Sequence, residues 1–238
     1  MTSKQTDKRP VLLITHIRAA DVGELPSILN YLNIPYQILR MNKGDELPVD
    51  ISIYQGVVIL GGVQSANDDH IDYIFNELKW LDSLINRNFK IFGICLGAQL
   101  VARALGAEVS CHPDGLYSFG WYSLKGVNSD VFSLGNSFTF YHRHSEIFSL
   151  PQGALLTATR PNYPNQGFIY GKNIVATQFH PEVNQSLISD WLIRKRPLPD
   201  EGLKGSQNVD LQIADTSAHI PRAHSWLKSF MHSWLDLR

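Results

Sequence analysis

Cysteine is scarce in this chain of 238 residues: it has two, Cys95 and Cys111. Two thiols make no disulfide framework. The leading segment, residues 1–10, is polar and lacks the apolar core of a secretory signal, so it reads as a flexible tail, and a reducing cytoplasm is the expected compartment. Long apolar runs are missing too. None approaches the ~18–20 residues needed to span a bilayer, which argues against a membrane protein. No excess of one charge exists: 21 Lys and Arg face 22 Asp and Glu, a net charge of -1. That balance offers no basic field for nucleic acid or anionic lipid. Neither a Walker A pattern nor a G-x-G-x-x-G is present, so no nucleotide cofactor is supported. Repeats and low-complexity segments are absent as well.

What remains is ordinary soluble composition, 44% hydrophobic and 18% charged, in a chain long enough for one α/β domain with a sizeable core. The continuous apolar runs at 11–17, 35–40, 56–62 and 90–94 read as strands buried on both faces. Between them lie helical patterns. Residues 21–33 repeat Leu25, Ile28, Leu29 and Leu32, with Asp21 as the expected cap. Residues 71–87 turn Ile71, Ile74, Phe75, Leu78, Leu81 and Ile85 inward. Alternation of strand and helix predicts a mostly parallel central sheet covered by helices on both faces, flavodoxin-like in plan. After Gly106 the segments shorten. Runs near 121–127, 138–144, 155–159, 167–170 and 174–179 are parted by turn signals at 113–115, 162–165 and 171–173, which predicts an antiparallel extension. Residues 183–194 read as a helix, 195–217 as a polar loop and 222–237 as a closing helix. The domain reading is thus one unit over 11–238, with a core at 11–194 and a C-terminal extension at 195–238.

One stretch organises the rest: Lys90-Ile-Phe-Gly-Ile-Cys95-Leu-Gly-Ala-Gln99. An apolar strand stops at a cysteine framed by Gly93 and Gly97, and a helix follows at once, with Gly106 placed to end it. Strand, tight turn and helix form the layout of a nucleophile elbow. The turn is strained, so its neighbours must be small. A sulfur there sits at a helix N-terminus, whose dipole favours thiolate. The N–H of Leu96 is free to meet an oxyanion, and Gly61-Gly62, at the end of the 56–62 strand, offers a second donor from Gly62. Cys111 has no such frame and reads as an incidental loop or strand-end residue.

A cysteine nucleophile needs a base and a group to orient it. Of nine histidines, His180 ends a buried strand and is followed by Pro181 and Glu182. A histidine at a strand's C-terminal edge faces the same rim as Cys95 if the two strands share a sheet. Glu182 can then accept from the far imidazole nitrogen and fix its tautomer. His142 and His144 form an H-x-H, but no cysteine or carboxylate is spaced to complete a metal site, and they read as structural.

Gly93-Ile-Cys95-Leu-Gly97-Ala-Gln99 and Phe179-His180-Pro181-Glu182 together resemble the class I, triad-type glutamine amidotransferases, and most closely their stand-alone GMP-synthase-like members. Gly61-Gly62, Phe119-Gly120-Trp121, His144-Ser145-Glu146 and Asn165-Gln166 extend the likeness over residues 11–182. The resemblance implies that Cys95 attacks the side-chain amide of glutamine, that His180 serves as base and then acid, and that Glu182 orients it. It implies that Gln99, Ser145 and Glu146 hold the amino-acid end of the substrate. Ser145 and Ser118 stand where many relatives carry glycine and glutamate, which leaves the thiol chemistry intact and alters the pocket. No cofactor or metal is implied. Nothing in the chain resembles an ammonia-accepting domain, so a synthase partner is expected. The alternatives are a stand-alone γ-glutamyl hydrolase or peptidase using the same triad and, more remotely, a non-catalytic protein of the same fold.

Overall fold

The computed structural model describes residues 9–17, 19–128, 138–193 and 202–236. Residues 1–8 of the expected tail and 195–201 of the expected loop lie outside the described residues. In chain order the elements are β1 (Val11–Thr15), α1 (Leu25–Tyr31), β2 (Tyr36–Arg40), β3 (Gly56–Ile59), α2 (Asp72–Asn86), β4 (Ile91–Ile94), α3 (Leu96–Ala104), β5 (Val109–Cys111), β6 (Ser118–Gly126), β7 (Phe138–His144), β8 (Glu146–Phe148), β9 (Leu155–Arg160), β10 (Tyr163–Tyr170), β11 (Ile174–Thr177), α4 (Gln185–Ile193) and α5 (Val209–Trp234). Short 3-10 turns at Ala19–Val22 and Met41–Lys43 punctuate the first third.

Nine strands form one sheet in the order β2-β1-β3-β4-β11-β10-β9-β6-β7 among the described residues. The first five run parallel, and β10, β9, β6 and β7 continue antiparallel. The period of two along each central strand sorts its side chains into two layers. Val11, Leu13, Val58, Phe92 and Ile94 face α1 and α5. Leu12, Ile14, Val57, Ile59 and Ile91 face α2 and α3. Helices therefore cover both faces, as the apolar runs required. A third cluster joins Phe119, Trp121 and Tyr141 to Leu187, Ile188 and Trp191 of α4.

Because the central strands are parallel, their C-terminal ends open on one rim. Registry fixes the levels: Ile14 lies beside Ile59, Ile59 beside Gly93, and Ile94 beside Thr177. The residues that follow these ends, His16, Gly61, Cys95 and His180, therefore gather at the same edge.

Several local expectations change. Asp21 sits in a 3-10 turn, and α1 starts only after Glu24, with Pro26 in its first turn. Phe75 is 42% exposed, and the inward positions are taken by Leu84 and by a carboxylate, Glu77. The turn expected at 162–165 falls at residues 161–162, so Tyr163 already begins β10. The three-residue strands β5 and β8 pair antiparallel in a separate small sheet and are too short to show a period. The largest change is α5. The sequence pattern predicts a loop through 217 and a helix only after Pro221, yet one helix runs from Val209 through Pro221 to Trp234. Its first half inverts the usual pattern. Leu211 and Ile213 are exposed, while Gln212 and Thr216 are buried. Those two are satisfied from the sheet: the Tyr141 hydroxyl donates to Gln212 at 2.6 Å and the Trp121 indole N–H to Thr216 at 3.1 Å. Its second half places Trp226, Leu227, Met231 and Trp234 in the core. Among the described residues no helix is long and apolar enough to cross a membrane.

Candidate active site

Cys95 is the residue before the first turn of α3, and its backbone adopts φ 53° and ψ -107°. Such a positive φ is disfavoured for any residue with a side chain. Two backbone hydrogen bonds hold it: its N–H donates to Thr177 at 2.8 Å, and its carbonyl accepts from Gln99 at 3.0 Å. The tightness of the turn explains Gly97. A Cβ there would lie 2.0 Å from the Ile59 carbonyl oxygen, so only glycine lets α3 start this close to β3. The Cys95 sulfur is buried and lies 3.7 Å from the Arg143 carbonyl oxygen.

His180 arrives from the neighbouring strand. β11 leaves the sheet after Thr177, whose hydroxyl bonds the Phe179 carbonyl at 3.1 Å. The His180 N–H then donates to Tyr141 at 2.8 Å, pinning the chain to β7. The His180 Nδ1 lies 2.7 Å from Glu182 Oε1, and both side chains are almost wholly shielded from solvent. Glu182 is anchored in turn, its carbonyl accepting from the Glu24 N–H at 2.8 Å. Trp191 closes the outer side, edge-on to the imidazole at 5.0 Å. Burial pushes the His180 pKa down, but the charges of Glu182 and of a Cys95 thiolate outweigh it, and the value rises to about 10. The other ring nitrogen, Nε2, is buried and makes no closed hydrogen bond in this arrangement.

Cys95, His180 and Glu182 line one cavity of about 470 Å³. Gly62, Leu96, Gln99, Ser145 and Glu146 line it too. All eight residues singled out in the sequence therefore meet in one place. Gly61 sits against both side chains: a Cβ on it would lie 2.9 Å from His180 Cε1 and 3.6 Å from Cys95 Cβ. Gln99 differs from its expected role in one respect. Its amide nitrogen lies 3.2 Å from both the Glu146 carbonyl and Gln178 Oε1. It therefore braces the 145–146 segment as well as lining the cavity. Glu146 accepts from the Ser65 hydroxyl at 2.7 Å, and burial raises its carboxyl pKa.

His144 lines the cavity as well, and His142 sits beside it, its Nδ1 3.4 Å from His144 Nε2. Burial, reinforced by the charge of Arg160, lowers the His144 pKa to about 3 and the His142 pKa well below its usual value. Both rings are therefore neutral, and His144 Nδ1–H donates to the Glu146 carbonyl at 3.0 Å. Among the described residues no group of three or more His, Cys, Asp or Glu is placed to hold a metal ion. Cys111 is exposed at the end of β5, on the cavity's rim.

Sequence reasoning missed Arg143 and the pair His16–Glu77. Arg143 stands between two histidines that drew notice, and its guanidinium packs over Phe119 at 4.9 Å and Trp191 at 5.5 Å, beside the cavity. His16 and Glu77 are 61 positions apart, and nothing local links them.

Comparisons with known proteins place the chain in a family. The family model for glutamine amidotransferase class-I matches residues 24–196. The glutamine-hydrolyzing GMP synthase subunit of Thermoplasma acidophilum is 34% identical over 137 residues, which cover 55% of this chain and 64% of that protein. Gamma-glutamyl peptidase 5 of Arabidopsis thaliana is 29% identical over 153 residues, covering 61% of this chain and 60% of the peptidase. The match thus spans less than two thirds of either relative. The crystal structure of a glutamine amidotransferase from Thermotoga maritima superposes with a TM-score of 0.86 at 27% identity, covering 96% of this chain and 99% of that one. The motifs, the shared fold and a family match over most of the chain lead to one conclusion: this protein belongs to the class-I glutamine amidotransferase family.

Proposed function

We propose that this protein is an enzyme that hydrolyses the side-chain amide of glutamine through Cys95 and releases ammonia for transfer to an acceptor. One observation carries the reading: a buried His180–Glu182 contact of 2.7 Å shares a cavity with a cysteine at an elbow of φ 53°. The Cys95 thiolate attacks the amide carbon. The oxyanion that forms is met by the Leu96 and Gly62 N–H groups, each such donor contributing about 3 kcal/mol to the transition state. His180, held protonated by Glu182, passes its proton to the departing nitrogen, and ammonia leaves a glutamyl thioester. His180, now neutral, takes a proton from water, the hydroxide attacks the thioester, and glutamate departs as the thiol is restored. Gln99, Ser145 and Glu146 hold the amino-acid end. Neither half-reaction calls for a cofactor, and a reducing compartment such as the cytoplasm suits a working thiol. The Thermoplasma relative's name, which makes it one part of a GMP synthase, supports a synthase partner that receives the ammonia.

A second reading, a γ-glutamyl peptidase with the same triad, draws on the size of the site. A cavity of about 470 Å³ lies inside the ~300–1,000 Å³ range that takes drug-sized ligands, and it exceeds what one amino acid fills. The Arabidopsis relative bears that activity in its name. Ammonia release from glutamine and cleavage of γ-glutamyl dipeptides, measured side by side on the isolated protein, separate the two. Ammonia release at the higher kcat/KM supports the amidotransferase reading; cleavage of dipeptides alone replaces it with the peptidase. Activity on neither substrate, alone or with a synthase, would overturn both.

A further inference from the structure

A histidine and a glutamate lie within an aliphatic layer where packing alone would place neither. His16 follows β1, and Glu77 is on the sheet-facing side of α2, between Ile74 and Leu81; they are 1% and 0% exposed. Burying such a pair is costly unless each partner is well placed. His16 Nε2 lies 2.9 Å from Glu77 Oε2, and His16 Nδ1 lies 3.3 Å from the Gly61 carbonyl oxygen. Both partners accept, so the ring donates from both nitrogens when charged. Burial lowers the His16 pKa, but the Glu77 carboxylate outweighs it and the net shift is upward.

The anchored carbonyl belongs to the Gly61-Gly62 peptide. In a trans peptide the C=O and the following N–H point in opposite directions, and no cis bond occurs among the described residues. Gly61 and Gly62 line the cavity and His16 does not. Turning the Gly61 carbonyl toward His16 therefore turns the Gly62 N–H toward the cavity. A Gly-Gly peptide is free to rotate, and the opposite orientation would present a carbonyl oxygen to a developing oxyanion. We propose that His16 and Glu77 form a positioning pair that locks the Gly61-Gly62 peptide with its N–H aimed at the reaction centre. The proposal rests on the reading of Gly62 as an oxyanion donor.

Two reactions of the Cys95 sulfur test this. Acylation by p-nitrophenyl acetate forms an S–C(acyl) bond, expels p-nitrophenolate and passes through an oxyanion. Alkylation by iodoacetamide forms an S–C bond, expels iodide and builds no oxyanion. The double variant His16→Phe/Glu77→Leu removes the anchor and leaves no buried charge unpaired. It should slow acylation by about 10- to 100-fold, with alkylation within about twofold of the parent. In Glu77→Gln the new amide can donate to His16 Nε2, leaving Nδ1–H on the Gly61 carbonyl, so acylation should stay within about fivefold. Unchanged acylation in the double variant, a parallel fall in alkylation, or a loss in Glu77→Gln as large as in the double variant would each overturn the proposal. Because p-nitrophenyl acetate carries no γ-glutamyl group, a failure of the γ-glutamyl reading would leave this test standing.

Discussion

Cys95 occupies a backbone conformation, φ 53°, that costs a side-chain-bearing residue about 1–3 kcal/mol. On the proposed function the strain has a use: it sets the nucleophile at the start of α3. If Cys95 does the chemistry proposed here, Cys95→Ala lowers hydrolysis by at least about a thousandfold, and a glutamine-mimicking electrophile labels Cys95 and spares Cys111. Peptide mass mapping reads the second outcome directly. His180 gives a pH prediction. Its pKa is raised to about 10 by Glu182 and the Cys95 charge against the effect of burial, so it keeps its proton through neutral pH and loses it as pH approaches that value. The rate should therefore hold through neutrality and fall on the alkaline side. Glu182→Gln removes the larger of the two raising charges, so the alkaline limb moves to lower pH while kcat drops by about 10²- to 10⁴-fold. A pH–rate profile of the two proteins checks both. The three residues proposed as a triad stood out in the sequence because each sits in a short motif with its own local logic, glycines around Cys95 and a strand end before His180. Arg143 and His16–Glu77 did not, because their meaning lies in partners distant along the chain.

At the scale of elements, the approach of α3 to β3 decides whether the elbow can form. An alanine at Gly97 would drive its Cβ against the Ile59 carbonyl. Relief requires α3 to move, at a cost of about 1–3 kcal/mol. Gly97→Ala should lower the melting temperature and cut turnover well beyond what the lost stability explains, since a displacement near 1 Å at a reacting group costs about a hundredfold. Thermal melts and turnover on the same preparation make the comparison. The C-terminal helix carries a different prediction. Trp226 meets Phe140 edge-on at 5.1 Å and stacks on Phe230 at 5.2 Å. Trp226→Ala should cost about 3–5 kcal/mol, a drop of roughly 6–20 °C for a domain of this size. The central strands were readable because burial on both faces leaves an unbroken apolar run. The first half of α5 was not readable. Its inward side chains at 212 and 216 are polar and take partners from the distant Tyr141 and Trp121, and Pro221 breaks the pattern where the helix does not break.

For the molecule as a whole, the parallel half of the sheet delivers Cys95 and His180 to one rim and the antiparallel half walls the cavity. The same burial that shapes the site ties stability to pH. His142 and His144 are held neutral, with His144 at about 3. Below about pH 6.5 the unfolded chain takes up protons that these folded rings refuse, so stability falls as the solution is acidified. His16 and His180 are raised, His180 to about 10. Their contribution is complete below about pH 6.5 and is lost as pH rises through their folded values. The melting temperature should therefore peak near pH 6.5 and decline on both sides, which thermal unfolding across a pH series would show. The order of strands and helices followed from the alternation of apolar runs, whereas the cavity's size and walls arise only when β6, β7 and α4 fold over the rim.

The central claim is that the sulfur at 95 carries the substrate's acyl group during turnover. Its most direct measurement is acid quenching of the protein while it turns over glutamine or a γ-glutamyl dipeptide, followed by mass analysis of the peptide containing Cys95. The account predicts a γ-glutamyl adduct on that peptide, absent in Cys95→Ala and absent from the peptide containing Cys111. Continued hydrolysis by Cys95→Ala, or an adduct found on Cys111, would contradict it.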